Sequence, residues 1–461
     1  MNYWGENMKT PATTRPMSAR TRNMLGAVVI MGVILLIGFA LTIPFKYESS
    51  SMFYKFGMDR IVLRTAKMVG LAAAVLLILQ LPLAARLKWM DRIFSLPGLY
   101  RIHRFSAYAI GALAMIHPVL IQTAEHSWTI PLEKRYWPEW MGAALMIVLL
   151  QHIGFSHWRK RIFRAYEKWR LIHAILAVVV FSALILHILN VSETFDHSKP
   201  PRTWVAMAAS GAGVFWIWIR TYRLRSRRNA FRVSRVVAAG SDAFSVDLFP
   251  VRPPVIQYLP GQFALVSVAS PHISKEFHPF TISSSPSRPS SIQFTIRSCG
   301  DWTRQIGSLQ ADDSAFIQGP YGRFSHLVLP PDREIIMIAG GIGVTPMLSM
   351  LRYMSDHADS RRITLLWSNR TREHLFGRDE LEAISRKLTG FKWIPIFTRE
   401  ESEGDRGRRM DQGTLEMLLS DCGRDAAVFL CGPPGMVAKI RPALKKIGFS
   451  RRSIYTEAFD F

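Results

Sequence analysis

The chain has 461 residues, 49% of them hydrophobic, and carries 58 Lys and Arg against 34 Asp and Glu, a formal net charge of +24. A mean hydropathy of +0.11 excludes global disorder, which needs low hydrophobicity as well as high charge. Three cysteines, Cys299, Cys422 and Cys431, exclude a disulfide framework or a Cys-rich zinc or iron–sulfur centre, so any metal must be held by His or carboxylates.

The charge is unevenly spread. Residues 1–230 hold 29 basic and 10 acidic residues, net +19, whereas residues 231–461 hold 29 and 24, net +5. Nucleic-acid binding is the usual reading of a high pI. It fails here because the basic residues of the first half lie between long apolar runs, which belong in a lipid bilayer.

Six such runs follow one another: 24–44, 61–85, 99–121, 140–155, 171–191 and 204–219. Most approach the roughly 20 residues a helix needs to cross a hydrocarbon core. The first has no small-residue cleavage site and reads as a retained span after a polar tail, residues 1–23. Arg86, Lys88, Arg92, Arg101 and Arg104 lie between runs two and three, and Arg159, Lys160, Arg161, Arg164, Lys168 and Arg170 between four and five. Arg220, Arg223, Arg225, Arg227 and Arg228 follow run six, while the alternate loops carry Glu125, Glu133, Glu139, Glu193 and Asp196. The positive-inside rule then places both termini, and everything after Arg228, in the cytoplasm.

Run three contains His103 and His117, and run five His173 and His187, both pairs 14 residues apart. Fourteen steps of about 100° return to within roughly 40° of the start, about 21 Å along the axis. The two runs are parallel, so His103 pairs in level with His173 and His117 with His187. A single such histidine reads as an interhelical hydrogen bond, but polar groups in a membrane are costly and usually functional, and the repeated spacing points to ligands. Facing imidazoles on two helices suit bis-histidine haems, two of them stacked across the bilayer. Zinc fits less well, since no Cys or acid joins either pair. His126, His152, His157 and His197 read as boundary or loop residues.

From residue 231 to about 329 short β-rich runs (231–238, 244–248, 262–268, 292–297) punctuated by Pro and Gly predict a small antiparallel barrel. Among them stand His278-Pro279-Phe280-Thr281-Ile282-Ser283-Ser284, Arg297-Ser298-Cys299-Gly300-Asp301-Trp302-Thr303 and Gly319-Pro320-Tyr321-Gly322. An aromatic strand with consecutive hydroxyls can stack on and hydrogen-bond a flavin ring, and an Arg followed by a Gly-led helix start can hold a pyrophosphate. From Glu334 the pattern becomes strand, glycine loop, helix: 334–339, then Gly340-Gly341-Ile342-Gly343-Val344-Thr345-Pro346, then a helical run to Met354. Strands 363–367, 392–397 and 427–430 alternate with helices 379–388 and 415–419, the last strand leading into Cys431-Gly432-Pro433-Pro434-Gly435-Met436. Such alternation implies a parallel sheet with helices on both faces and a dinucleotide phosphate at the glycine loop. Cys431 reads equally well as a small buried residue or as a neighbour of the nicotinamide.

These motifs, in this order, resemble the ferric reductase and NADPH oxidase superfamily from about residue 24 to 461. The resemblance implies a multidomain membrane protein: a six-helix di-haem domain (24–222), an antiparallel β-barrel FAD domain (229–330) and a Rossmann-like α/β NADPH domain (333–461). It implies that His278, Pro279, Phe280 and Thr281, with Ser283, meet the flavin ring, that Arg297, Gly300, Trp302 and Thr303 lie at the FAD phosphates, and that Gly340, Gly341, Gly343, Thr345 and Pro346 form the NADPH pyrophosphate loop. Cys431, Gly432 and Pro433 then line the nicotinamide side, and the terminal Phe461 shields the flavin until nicotinamide displaces it. Electrons from cytoplasmic NADPH would pass by FAD and two b-type haems, at His103/His173 and then His117/His187, to an acceptor across the membrane. That acceptor is dioxygen in first place, a ferric chelate next, then a membrane quinone or a partner protein. Arg370 and Arg399, at the ends of the second and third nucleotide-domain strands, suit a 2′-phosphate. No calcium loop of the D-x-[DN]-x-[DN]-G type occurs, so calcium regulation within this chain has no support.

Overall fold

The computed structural model describes residues 16–48, 56–163, 166–191, 193–195, 200–226, 230–252, 256–271, 273–287, 290–400 and 409–457. The chain divides into two compact units, Asn23–Arg223 and Leu224–Phe461 together with Met1–Arg22.

The first unit is helical: α1 (Ala19–Lys46), α2 (Gly57–Ala84), α3 (Lys88–Phe94), α4 (Leu96–Ala124), α5 (Trp137–His157), α6 (Arg159–Ile162), α7 (Tyr166–Val191) and α8 (Pro200–Ser226). Five of the six long helices are long and apolar enough to cross a membrane, and α8 has the length without the same apolar content. The expected runs are therefore the centres of longer helices. The short α3, unforeseen, caps the turn into α4, where buried Asp91 accepts a hydrogen bond from the Leu96 amide at 2.8 Å. Outward residues are bare and apolar, Val28 at 66% and Leu35 at 65% exposure, as a lipid-facing surface requires. Inside, small residues let the helices close: a side chain on Gly111 of α4 would meet Ile153 Cδ1 of α5 at 3.0 Å, the small-residue packing that replaces hydrophobic drive within lipid.

The second unit begins with a six-stranded antiparallel sheet of β1 (Ala230–Ala239), β2 (Ala243–Pro250), β3 (Phe263–Ala269), β4 (His278–Thr281), β5 (Ile292–Arg297) and β6 (Ser314–Tyr321), with the one-turn helix α9 (Asp301–Arg304) after β5. Its order is β4-β3-β6-β1-β2-β5, and its two edge strands meet through the single bridge Ile282↔Phe294. Phe231, Phe294, Ile317 and Trp302 fill its core. A parallel sheet follows, ordered β11-β10-β7-β8-β9: β7 (Ile335–Gly340), β8 (Ile363–Asn369), β9 (Phe391–Phe397), β10 (Ala427–Cys431) and β11 (Ile454–Glu457). Helices α10 (Thr345–Asp356), α11 (Arg378–Lys387), α12 (Gln412–Leu418) and α13 (Pro434–Lys446) complete it. Two apolar clusters, one around Met337, Leu365 and Trp367 and one around Ile338, Leu366 and Leu444, flank this sheet. Strands buried on both faces read as continuous apolar runs, which is why 334–339 and 427–430 were legible. The helix α13 was not, because its sequence opens on Pro-Pro-Gly.

Gly261, just before β3, has a φ of +93° and sits so near the Phe324 carbonyl after β6 that no side chain fits, and a Cβ there would also lie 3.0 Å from Met350 Cε of α10. Gly261→Ala should cost roughly 3 kcal/mol, the upper end of overpacking, and lower the melting temperature by roughly 5–10 °C. Thermal unfolding followed by tryptophan fluorescence checks this.

Candidate functional site

Each unit holds one candidate site. In the helical unit, His117 (α4) places Nδ1 at 2.9 Å from the Ala66 carbonyl of α2, and His187 (α7) places Nδ1 at 3.0 Å from the Pro138 carbonyl of α5. A carbonyl can only accept, so Nδ1 carries the proton in both rings, and Nε2 is left as a lone pair, the state a metal ligand needs. Glycines make the approach possible: a Cβ on Gly70 would lie 2.9 Å from the His117 ring, and one on Gly142 would lie 2.5 Å from His187.

At the other level, the His103 and His173 ring centres are 6.3 Å apart. Two imidazoles on opposite sides of one metal, each at about 2.0–2.1 Å, keep their centres about 6 Å apart. His103 Nδ1 is buried and, among the described residues, makes no hydrogen bond of ordinary geometry. His173 Nδ1 faces His152 Nε2 at 2.8 Å and Ser156 Oγ at 3.1 Å. His152, expected at a boundary, instead sits inside α5 one turn from Ser156, both turned to His173. The 152/156 spacing was the available signal. Among the described residues no three His, Cys, Asp or Glu gather as a metal cluster, so the unit offers pairs. The free Nε2 lone pairs of His117 and His187, and the 6.3 Å separation of His103 and His173, fit a bis-histidine haem. His126 and His157 are surface residues, hydrogen-bonded to Asp59 and Tyr108, and His197 lies outside the described residues.

In the second unit β4 carries the aromatic motif. His278 lies 4.5 Å from Trp302 and Phe280 stacks on Trp302 at 5.7 Å, with 23° between planes. Trp302, expected near phosphates, is thus in the core beside the flavin-motif strand, its Nε1 donating to the Ser274 carbonyl at 2.9 Å. Burial holds the His278 imidazole below its ordinary range, against the opposing pull of Glu276. Thr281 and Ser283 are buried, and the Ser283 hydroxyl is on Gln293 O and Thr295 Oγ1, both at 3.1 Å. Thr303 Oγ1 accepts from the amides of Cys299 and Gly300 at 3.0 and 2.8 Å. Arg297 pairs with Asp242 through Nε and Nη2 at 2.6 and 2.5 Å, and its Nη1 lies 3.1 Å from where a Gly341 side chain would begin. One guanidinium is therefore held by Asp242 and borders the glycine loop.

The glycine loop packs against the strand end that follows Cys431. A Cβ on Gly343 would lie 2.5 Å from the Cys431 carbonyl, and one on Gly340 would strike Met436 Sδ. Gly432 backs onto the Gly340 amide, a Cβ there meeting it at 3.1 Å. Thr345 and Pro346 are buried at the start of α10, and Pro433 is exposed. Cys431 is fully buried, and burial pushes its thiol well up, helped by Glu457. Arg370 and Arg399 are exposed at the ends of neighbouring strands, tied by the Arg399 amide to the Arg370 carbonyl at 3.0 Å. Phe461 lies outside the described residues.

Three family models match the chain in sequence: the ferric reductase like transmembrane component over residues 69–184, an FAD-binding domain over 228–325 and an oxidoreductase NAD-binding domain over 337–441. This chain belongs to the ferric reductase and NADPH oxidase superfamily. Within that superfamily it is a membrane protein with FAD-binding and NAD-binding oxidoreductase domains. The transmembrane match includes His103, His117 and His173 and stops short of His187. The chain is 29% identical to the reductase component of propane 2-monooxygenase from Rhodococcus jostii, over 50% of this chain and 62% of that protein. It is 27% identical to the glycine betaine monooxygenase reductase subunit of Chromohalobacter salexigens, over 52% and 67%. The crystal structure of the Amycolatopsis cytochrome P450 reductase GcoB aligns with a TM-score of 0.44 at 24% identity, covering 50% of this chain and 69% of that one.

Cysteine burial separates the three thiols of this superfamily member. Cys299 is exposed, Cys422 and Cys431 are buried, and thiolate is the reactive form. A thiol-alkylating reagent should label Cys299 alone in the native protein and all three after denaturation. A mildly alkaline pH should not bring native Cys431 into reaction. Mass spectrometry of the labelled peptides reads the outcome.

Proposed function

We propose that the chain moves electrons from NADPH, by way of FAD and two b-type haems, to an acceptor on the opposite side of the membrane, with dioxygen as that acceptor and superoxide as the product. The observation that carries this reading is the pair His117 and His187, each with Nδ1–H held by a carbonyl and Nε2 left free, in one chain with FAD-binding and NAD-binding domains. In this reading six helices, α8 included, span the membrane, both termini are cytoplasmic, and the antiparallel sheet is the FAD barrel.

FAD, when bound, supplies the conversion of a two-electron donor into single electrons that haem can accept. The chain's residues do the positioning. His278, Phe280 and Thr281 offer stacking and hydrogen-bonding groups to the flavin ring, and Arg297 offers charge to its phosphates. The glycine loop 340–343 receives the dinucleotide phosphates, Cys431 to Pro433 border the nicotinamide, and Phe461 covers the flavin until nicotinamide arrives. His103, His117, His173 and His187 hold the haems from two helices. A ferric chelate is the alternative acceptor. A quinone or partner protein is a further one, favoured by the relatives' description as reductase components of monooxygenases.

The test is haem content and NADPH-driven haem reduction in the purified protein, with oxygen and ferric citrate supplied separately. Two haems per chain are expected. His103→Ala or His173→Ala should lose one and block NADPH reduction of the other; His117→Ala or His187→Ala should leave inner reduction intact and abolish turnover. Gly142→Val, which displaces the His187 ring, should behave like His187→Ala. Full haem content in all five variants would defeat the ligand assignment.

Cofactor choice gives a separate test. Arg can pair with a 2′-phosphate where an acid would accept from a free 2′-hydroxyl. NADPH should therefore be preferred to NADH, with Arg370→Ala and Arg399→Ala each narrowing the ratio of kcat/KM about tenfold, the worth of one charge-assisted contact. Equal use of both dinucleotides by the wild type would remove these arginines from recognition.

A further inference from the structure

Helix α10 begins at Thr345, where the glycine loop ends, and its Arg352 reaches away from that loop. Its Nη1 donates to the Ser283 carbonyl and to Gln293 Oε1, both at 2.7 Å. Its Nε and Nη2 make a bidentate pair with Glu380 of α11 at 2.6 and 2.8 Å. Four of the five N–H groups of the fork are thus engaged. One turn earlier on the same helix face, the fully buried Ser349 donates to the Ser284 carbonyl at 2.7 Å. Ser283 and Ser284 stand two and three residues beyond Thr281, the end of the aromatic motif strand.

We infer that Arg352, held by Glu380, is a positioning residue for hydride transfer: it fixes the flavin-ring strand to the helix that carries the dinucleotide loop. The inference rests on the NADPH-to-FAD reading above. Two partners must be held at near-contact distance for such a transfer, and a misplacement of about 1 Å can cost on the order of a hundredfold. No covalent segment sets that distance, since the tied residues are 65 to 69 positions apart in sequence. A helix hung on two carbonyls sets it instead. Lys cannot replace Arg352, because one ammonium cannot satisfy a carboxylate in bidentate fashion and two carbonyl-type acceptors in other directions.

The experiment uses full-length, FAD-loaded protein bearing Arg352→Met, which keeps an unbranched apolar stem and removes the fork. Stopped-flow flavin reduction at saturating NADPH should slow about tenfold or more while the apparent KM for NADPH changes less than about threefold, because positioning and not binding is lost. The long-wavelength absorbance of nicotinamide lying on flavin should weaken on addition of NADP⁺. Amide hydrogen exchange should rise in peptides covering 283–285 and stay unchanged in β8. Glu380→Gln, which keeps one acceptor, should show the same pattern more weakly, and it carries the test if Arg352→Met fails to load FAD. Wild-type rate and absorbance in an FAD-loaded variant would overturn the inference and leave the tie a stabilising contact only. If wild-type flavin is not reduced by NADPH at all, the functional reading fails, and the exchange measurement still decides whether the tie exists.

Discussion

The absence of a Cβ at a few positions is the constraint on which both candidate sites depend. His117 and His187 reach their carbonyls only because Gly70 and Gly142 leave room for the rings. The glycine loop meets the Cys431 strand end only because Gly343 and Gly340 carry no side chain. In each case a functional group is pressed against backbone or ring at a distance that one methyl group would abolish. Close packing makes such contacts discrete: there is no half-accommodated Ala. The glycines of 340–343 thus serve packing before they serve any phosphate.

The membrane half was legible in the sequence where period and spacing sufficed. Hydropathy located every long helix, and the repeated 14-residue interval put the four histidines on α4 and α7 at matching levels, which the 6.3 Å separation of His103 and His173 bears out for one pair. What period could not reveal was the partner of each Nδ1. Ala66 and Pro138 contribute carbonyls, which every residue has, so nothing in their side chains marks them. His152 was misplaced for a different reason. It stands close to the end of its apolar run, and a linear reading of depth puts it at the interface, whereas α5 continues to His157 and turns residue 152 inward.

In the second unit, the expected runs lie within two residues of strands in the structure because they are short apolar runs between turn residues, whereas β6, which pairs with β1 and β3, was not among them. The sites between sheets were not legible. Arg352 lies in an unremarkable helix sequence, and its partners come from the segment after β4, from β5 and from α11, three places that no local pattern connects. The resemblance puts Trp302 at the FAD phosphates, and its indole, large and apolar, packs in the sheet core. Arg370 and Arg399 were legible as strand-end residues because parallel strands place their C-terminal ends side by side, as the Arg399 amide to Arg370 carbonyl bond confirms.

The glycine loop also depends on a residue that no motif names. Trp367 of β8 is fully buried, and its Nε1 donates to the Gly341 carbonyl at 2.9 Å. Thr345 Oγ1 donates in turn to the Ile342 carbonyl at 3.0 Å. In a trans peptide the carbonyl and the following N–H point in opposite directions. Pinning those two carbonyls against the protein therefore turns the amides of Ile342 and Gly343 away from their holders and fixes the loop before any dinucleotide arrives. An anion that meets such a loop is spared the ordering cost that a mobile one would impose. An indole is suited to the task because it brings one donor on a large apolar body, so that a buried strand position and a loop-fixing hydrogen bond are satisfied by the same side chain.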